Sequence, residues 1–132
     1  MKKPPTYWYK AKKMLSKKDP VLKKIIKKFN KGFLTTRKDP FFSLCRTIIG
    51  QQISTKAADS IWLKFEKKCN KKILPEKVLK LPSSSLKGAG LSRQKINYLK
   101  NIARSFNNKT FNIKDLRRMD NEQAINNITQ LK

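Results

Sequence analysis

Two neighbouring amides, Gln51 and Gln52, stand in a short polar elbow, Gly50-Gln51-Gln52-Ile53-Ser54, between two apolar stretches. Each amide carries donors and acceptors that are costly to bury without partners, so the elbow is expected to present both outward, where an amide can fill or read a polar gap in a partner. Carboxylates are the other chemistry-bearing groups, and there are eight. Asp19, Asp39 and Asp120 stand at helix-cap positions, Glu76, Glu122 and Asp115 in first turns where the helix dipole favours them, and Asp59 and Glu66 on polar faces. With no histidine, no paired carboxylate and no metal-ligand cluster, the chain shows no constellation able to hydrolyse a bond or hold a metal by itself. Cys45 and Cys69 each fall on an apolar helical stripe and form no CxxC pair, so they are expected as buried thiols, not as a disulfide or a metal site.

The elements that must position the elbow are helices. Asp39 caps the first, with Pro40 at the position where a missing N–H costs nothing. Phe41, Phe42, Leu44, Cys45, Ile48 and Ile49 cover so much of its circumference that it reads as a central core helix. Ser54 caps the second, whose Ala57, Ala58, Ile61, Trp62, Phe65 and Cys69 make one wide stripe. Upstream, residues 1–5 read as a disordered basic tail, Thr6 to Leu15 as a short helix pinned by Tyr7, Trp8, Ala11 and Leu15, and Asp19-Pro20 as the start of a third helix. In that helix Val21, Leu22, Ile25, Ile26 and Phe29 face inward, four lysines face out, and Gly32 is placed to end it. Downstream, Pro82 separates short helices at Pro75–Leu81 and Ser83–Lys87. Gly88-Ala89-Gly90 forms a second elbow or a helix C-cap, and Ser92 caps a helix with Ile96, Leu99, Ile102, Ala103 and Phe106 inside and Arg93, Lys95, Lys100 and Arg104 outside. Asn112 and Asp120 cap the last two, Gln123 completing a capping box and Ala124, Ile125, Ile128 and Leu131 forming the final stripe. No segment alternates with period two, so the fold class is all-α, one helical domain over residues 6–132.

Charge narrows the partners. The 33 Lys and Arg residues against 8 Asp and Glu leave +25 on 132 residues, a field that favours a polyanion, nucleic acid ahead of an acidic membrane surface. Compositional drift toward lysine, asparagine and isoleucine accounts for part of that excess. No apolar run approaches the ~18 residues of a membrane span, and no hydrophobic region follows the lysine-rich start, so the reading is cytoplasmic and nucleoid-associated, with no membrane partner.

The segments IIGQQISTKAADSIW and LKGAGLSRQKINYLKNIARSF together resemble the DNA-3-methyladenine glycosylase II family of the helix-hairpin-helix glycosylase superfamily, over residues 7–132. The resemblance implies a helical bundle corresponding to the N-terminal part of such an enzyme. It also implies a base-excision DNA repair activity on alkylated purines such as 3-methyladenine in duplex DNA, with no cofactor and a monomer when complete. These enzymes withdraw the damaged nucleotide from the stack, so something must fill the gap. By position, Gln52 resembles the wedge residue that also bonds the estranged base, and Leu91 a second, apolar plug. Ser54, Ser92 and Lys95 are candidates for phosphate contacts, the two serines also serving as caps, and Gln51 either touches DNA or structures the loop. Family members continue with a glycine-rich hairpin and a later catalytic aspartate, whereas this sequence ends at Leu131-Lys132. The expectation is therefore that the catalytic half is absent and the chain alone inactive, with an apolar flank exposed where further helices would pack. A non-catalytic basic DNA-binding module, and a charge-rich scaffold with no nucleic-acid role, are the alternatives.

Overall fold

The computed structural model describes residues 3–35 and 39–131, so Met1 and Lys2 of the expected tail lie outside the described residues. Those residues form nine helices and no strand: α1 (Trp8–Lys18), α2 (Pro20–Lys28), α3 (Pro40–Gly50), α4 (Thr55–Lys68), α5 (Pro75–Lys80), α6 (Ser83–Gly88), α7 (Arg93–Asn107), α8 (Ile113–Leu116) and α9 (Asn121–Thr129). The all-α expectation holds. The chain divides into two compact units, Met1–Lys38 and Asp39–Lys132.

In the first unit α1 packs on α2. The cap at Asp19 forms as the sequence predicts, its carboxylate accepting from the Val21 and Leu22 N–H groups at 2.7 and 3.0 Å. Helix α1 starts later and runs longer than expected, leaving Tyr7 exposed before it, while Trp8, Ala11 and Leu15 line a groove with Ile25 and Ile26 of α2. The inward stripe of α2 is only partly covered. Leu22 and Ile26 are half-buried but Val21, Ile25 and Phe29 are exposed, because a single partner helix within the unit cannot cover a stripe that wide. The helix stops at Lys28, short of Gly32.

The second unit is built on α3, α4 and α7. Asp39 caps α3 by accepting from the Phe42 N–H at 3.0 Å, and α3 packs on both α4 and α7, which also meets α5 and α6. Phe41, Cys45 and Ile49 of α3, Trp62 and Phe65 of α4, and Leu99 of α7 are core residues. Aromatic rings tie the helices laterally, Phe42 edge-on to Trp62 at 4.8 Å and Phe41 against Phe106 at 5.2 Å. Ile73, Val78, Leu86 and Phe111 complete the core from short segments whose periodicity is too brief to mark them. The stripe of α9 is left partly uncovered, in keeping with the exposed apolar flank expected from the sequence. Its capping box forms, with Asp120 accepting from the Gln123 N–H at 2.9 Å, yet Ile125 and Ile128 stay exposed. Ile128 and Leu131, with Leu44, Ile48, Tyr98 and Ile102, line an open apolar cleft of about 420 Å³.

Both cysteines are buried free thiols, as their stripes predict. Burial pushes the Cys69 thiol from 9.0 up to about 11, and pushes Cys45, on the inner face of α3, higher still. A folded-state pKa raised above the unfolded value means that the Cys69 thiol's contribution to stability is complete below pH 9.0 and is lost as pH climbs through about 11. Urea unfolding should therefore show a lower midpoint at pH 10.5 than at pH 8, with a smaller drop in Cys69→Ala. An equal drop in that variant would assign the loss to other groups.

Candidate nucleic-acid interface

The elbow joins the C-terminus of α3 to the N-terminus of α4, and both supports are fixed by local chemistry. Ser54 caps α4 by accepting from the Ala57 N–H at 3.2 Å. Across the elbow Arg46 of α3 pairs with Asp59 of α4, donates to the Ala58 carbonyl at 3.2 Å, and lies 5.2 Å over the Trp62 ring. This tie between the two supports was not legible in sequence, since a separation of 13 residues across a turn carries no periodic signal. An ion pair this exposed is worth at most about 1 kcal/mol, so its contribution is mainly to fix how the helices meet. A Cβ added at Gly50 would lie 3.9 Å from the Ala58 methyl, an ordinary van der Waals contact.

Gln51, Gln52, Ile53 and Ser54 are all exposed, as the buried-amide argument predicts. Gln52 sits at φ +57°, in the left-handed region that costs a residue with a side chain about 1–2 kcal/mol. Gln51, Gln52, Gly90, Ser92, Lys95 and Tyr98 together line a cleft of about 400 Å³, so four of the six candidate residues share one surface. Ser54 stands just beyond the elbow and uses its oxygen as a cap. Ser92 does the same for α7, accepting from the Lys95 N–H at 3.2 Å. A capping oxygen leaves each hydroxyl proton to donate outward.

Two expectations are corrected. Leu91 is only 3% exposed and belongs to the core, so in this conformation its side chain is no plug. The reason is the end of α6. Gly90, at φ +98°, donates to the Lys87 carbonyl at 2.9 Å, and Leu91 donates to the Leu86 carbonyl at 3.4 Å. That is the helix-ending motif in which the residue after the glycine folds back onto the last turn, and Leu91 and Leu86 are accordingly both buried. Any Cβ at Gly90 would meet Ile61 at 3.2 Å, besides the strain of that φ. Lys95 is not an outward cation either. Its ammonium donates to the carbonyls of Ile49 at 2.8 Å and Gln51 at 2.9 Å.

The carboxylates are occupied much as their positions predict: Asp19, Asp39 and Asp120 cap, and Asp115, Glu76 and Glu122 lie in first turns. Asp59 lies on the exposed face of α4, as its position predicts, and there pairs with Arg46, the one ion pair among the described residues. The described residues contain no group of three or more His, Cys, Asp or Glu able to hold a metal ion, and no helix among them is long and apolar enough to cross a membrane.

This arrangement has relatives. The chain is 29% identical over 114 residues to DNA-3-methyladenine glycosylase 1 of Schizosaccharomyces pombe, an alignment covering 84% of this chain and 50% of that protein. In structure it is similar to the S. pombe 3-methyladenine DNA glycosylase in complex with abasic DNA, with a TM-score of 0.78 and 28% identity over 92% of this chain and 62% of that one. It is also similar to a DNA-3-methyladenine glycosidase from Bacillus halodurans, with a TM-score of 0.71 and 25% identity over 87% and 58%. The chain thus spans about half the length of the curated relative it matches. A family model matches residues 45–128, which takes in the second half of α3, the elbow, α4 and the helices behind them, and on that match the chain belongs to the HhH-GPD superfamily of base excision DNA repair proteins.

Proposed function

We propose that this chain is the lesion-probing part of a DNA-3-methyladenine glycosylase of the glycosylase II type, acting on alkylated purines in duplex DNA. Gln52 enters the space left when the damaged nucleotide leaves the stack, and its amide bonds the base left without a partner. The observation that carries this reading is the elbow itself: a polar side chain held exposed in a strained backbone conformation where two helices anchored in the core meet. A charge of +25 with a single ion pair among the described residues supplies the attraction for phosphates. The base to be expelled is already cationic and leaves readily, so the remaining chemistry is a carboxylate that stabilises the positive sugar and orients water. Among the described residues no carboxylate borders the cleft beside the elbow, so we assign that role to residues outside these 132. The protein works as a monomer on the nucleoid in this reading, and these residues alone bind without cutting.

The test uses the chain as it stands. Incubated with methylated duplex DNA, it should release no 3-methyladenine above background, while binding a duplex with one abasic site about fivefold to tenfold more tightly than an intact one, the worth of one good amide hydrogen bond and its packing. Base release would overturn the placement of the chemistry outside this chain. Equal affinities would overturn lesion probing.

A further inference from the structure

We infer that Lys95 is a positioning residue for the probing elbow: it clamps the C-terminal end of α3 and so sets where Gln52 points. The proposal rests on the reading of Gln52 given above and adds what holds it. Three observations meet at this lysine. The last carbonyls of a helix have no partner within it, and at the end of α3 the Ile49 and Gln51 carbonyls are both taken by the Lys95 ammonium, at 2.8 and 2.9 Å, from a helix more than forty residues away in sequence. The Gln51 carbonyl immediately precedes Gln52, the residue at φ +57°, and the Ile49 carbonyl lies two residues further back, so the clamp fixes the chain at the point where it turns left-handed.

The second observation is where the lysine sits. Lys95 lies in the first turn of α7, the end of that helix whose dipole disfavours a cation. The C-terminal end of α3, which carries the opposite partial charge, offsets this, so the placement makes sense for α3 and not for α7. Third, the side chain is half-buried and borders the same cleft as Gln51 and Gln52, with two of its three N–H groups committed to protein carbonyls. A lysine meant for phosphate would keep them free. Its neighbour Arg93 is exposed and donates no such bonds, and thus supplies a matched control for charge.

Lys95→Met keeps the stem and removes the ammonium. Amide hydrogen exchange, read residue by residue, should be accelerated roughly tenfold or more at Gln51, whose N–H donates to the Ile48 carbonyl at 3.3 Å at the clamped end of α3, the effect of losing charge-assisted bonds, with Phe65 and Leu99 in the core unchanged. Arg93→Met should leave the elbow amides as they were. In binding, Lys95→Met should lower the ratio of affinities for abasic and intact duplex severalfold, whereas Arg93→Met should weaken both duplexes alike and keep the ratio. Unchanged exchange at the elbow in Lys95→Met, or the same acceleration in Arg93→Met, overturns the proposal. So does acceleration spread equally over the core, which would make Lys95 a general stability residue. Because exchange is measured without DNA, it decides on the clamp even if Gln52 proves not to be a wedge: faster elbow exchange with an unaltered affinity ratio supports the clamp and counts against the wedge alone.

Discussion

Phe65→Ala should lower the unfolding free energy of the Asp39–Lys132 unit by about 3–5 kcal/mol, the range for emptying a phenylalanine site in a well-packed core. Phe65 is 0% exposed on the inner face of α4, its ring 5.6 Å from Trp62, among Cys45, Ile49 and Leu99 of the same cluster. The Arg46–Asp59 tie between α3 and α4 opposes the helix movement that would close the void. Set against a total stability of about 5–15 kcal/mol, such a loss leaves a substantial unfolded fraction at 37 °C. The matched control is Leu63→Ala on the same helix, where the side chain is 64% exposed and the cost should be within about 0.5 kcal/mol. Urea unfolding followed by circular dichroism reads both. Similar losses in the two variants would mean that α4 does not supply the core support on which the elbow depends.

The second large effect is on binding. Affinity for intact duplex should fall about a thousandfold or more between 50 and 200 mM salt, the response of a protein that neutralises six or more phosphates and releases their counterions. The basis is that 33 cationic residues face 8 carboxylates, most of which are committed to helix ends. The preference for abasic over intact duplex should hardly change across the same range, because Gln52 is neutral and its contribution is a hydrogen bond and a filled gap. Fluorescence anisotropy titrations with both duplexes separate the two terms. Flat affinity would place the lysines outside the interface, as solvated faces only.

How much of this was legible in the sequence depended on how local the determining physics is. Caps are the clearest case: Asp19, Asp39, Ser54, Ser92 and Asp120 all accept from the backbone N–H groups their positions predict, because a cap needs only the two or three residues after it. The core faces of α3, α4 and α7 were equally plain, since eleven or more residues allow a period to show. Contributions from short segments were not. Val78 and Leu86 lie in six-residue helices, and Phe111 in a turn, and nothing in their neighbours distinguishes them from loop residues. The exposure of Ile125 and Ile128 shows the converse, a stripe that is real in the sequence but uncovered in the fold. At the site, the outward elbow followed from the cost of burying two amides. The roles of Leu91 and Lys95 did not follow, because each depends on a contact with another segment: Leu91 folds back onto Leu86, and Lys95 reaches the end of α3. A lysine bound to carbonyls and a lysine bound to water look the same in a sequence.

The function proposed for the site turns on Gln52 occupying the gap opened in the duplex. The direct measurement is the affinity of Gln52→Ala for duplexes with and without an abasic site, at one salt concentration and beside the unaltered chain. The expected result is that affinity for the intact duplex stays within a factor of about two while the preference for the abasic duplex falls about fivefold or more, as one amide's hydrogen bonding and packing are lost. Equal losses on both duplexes, or an unaltered preference, would contradict it.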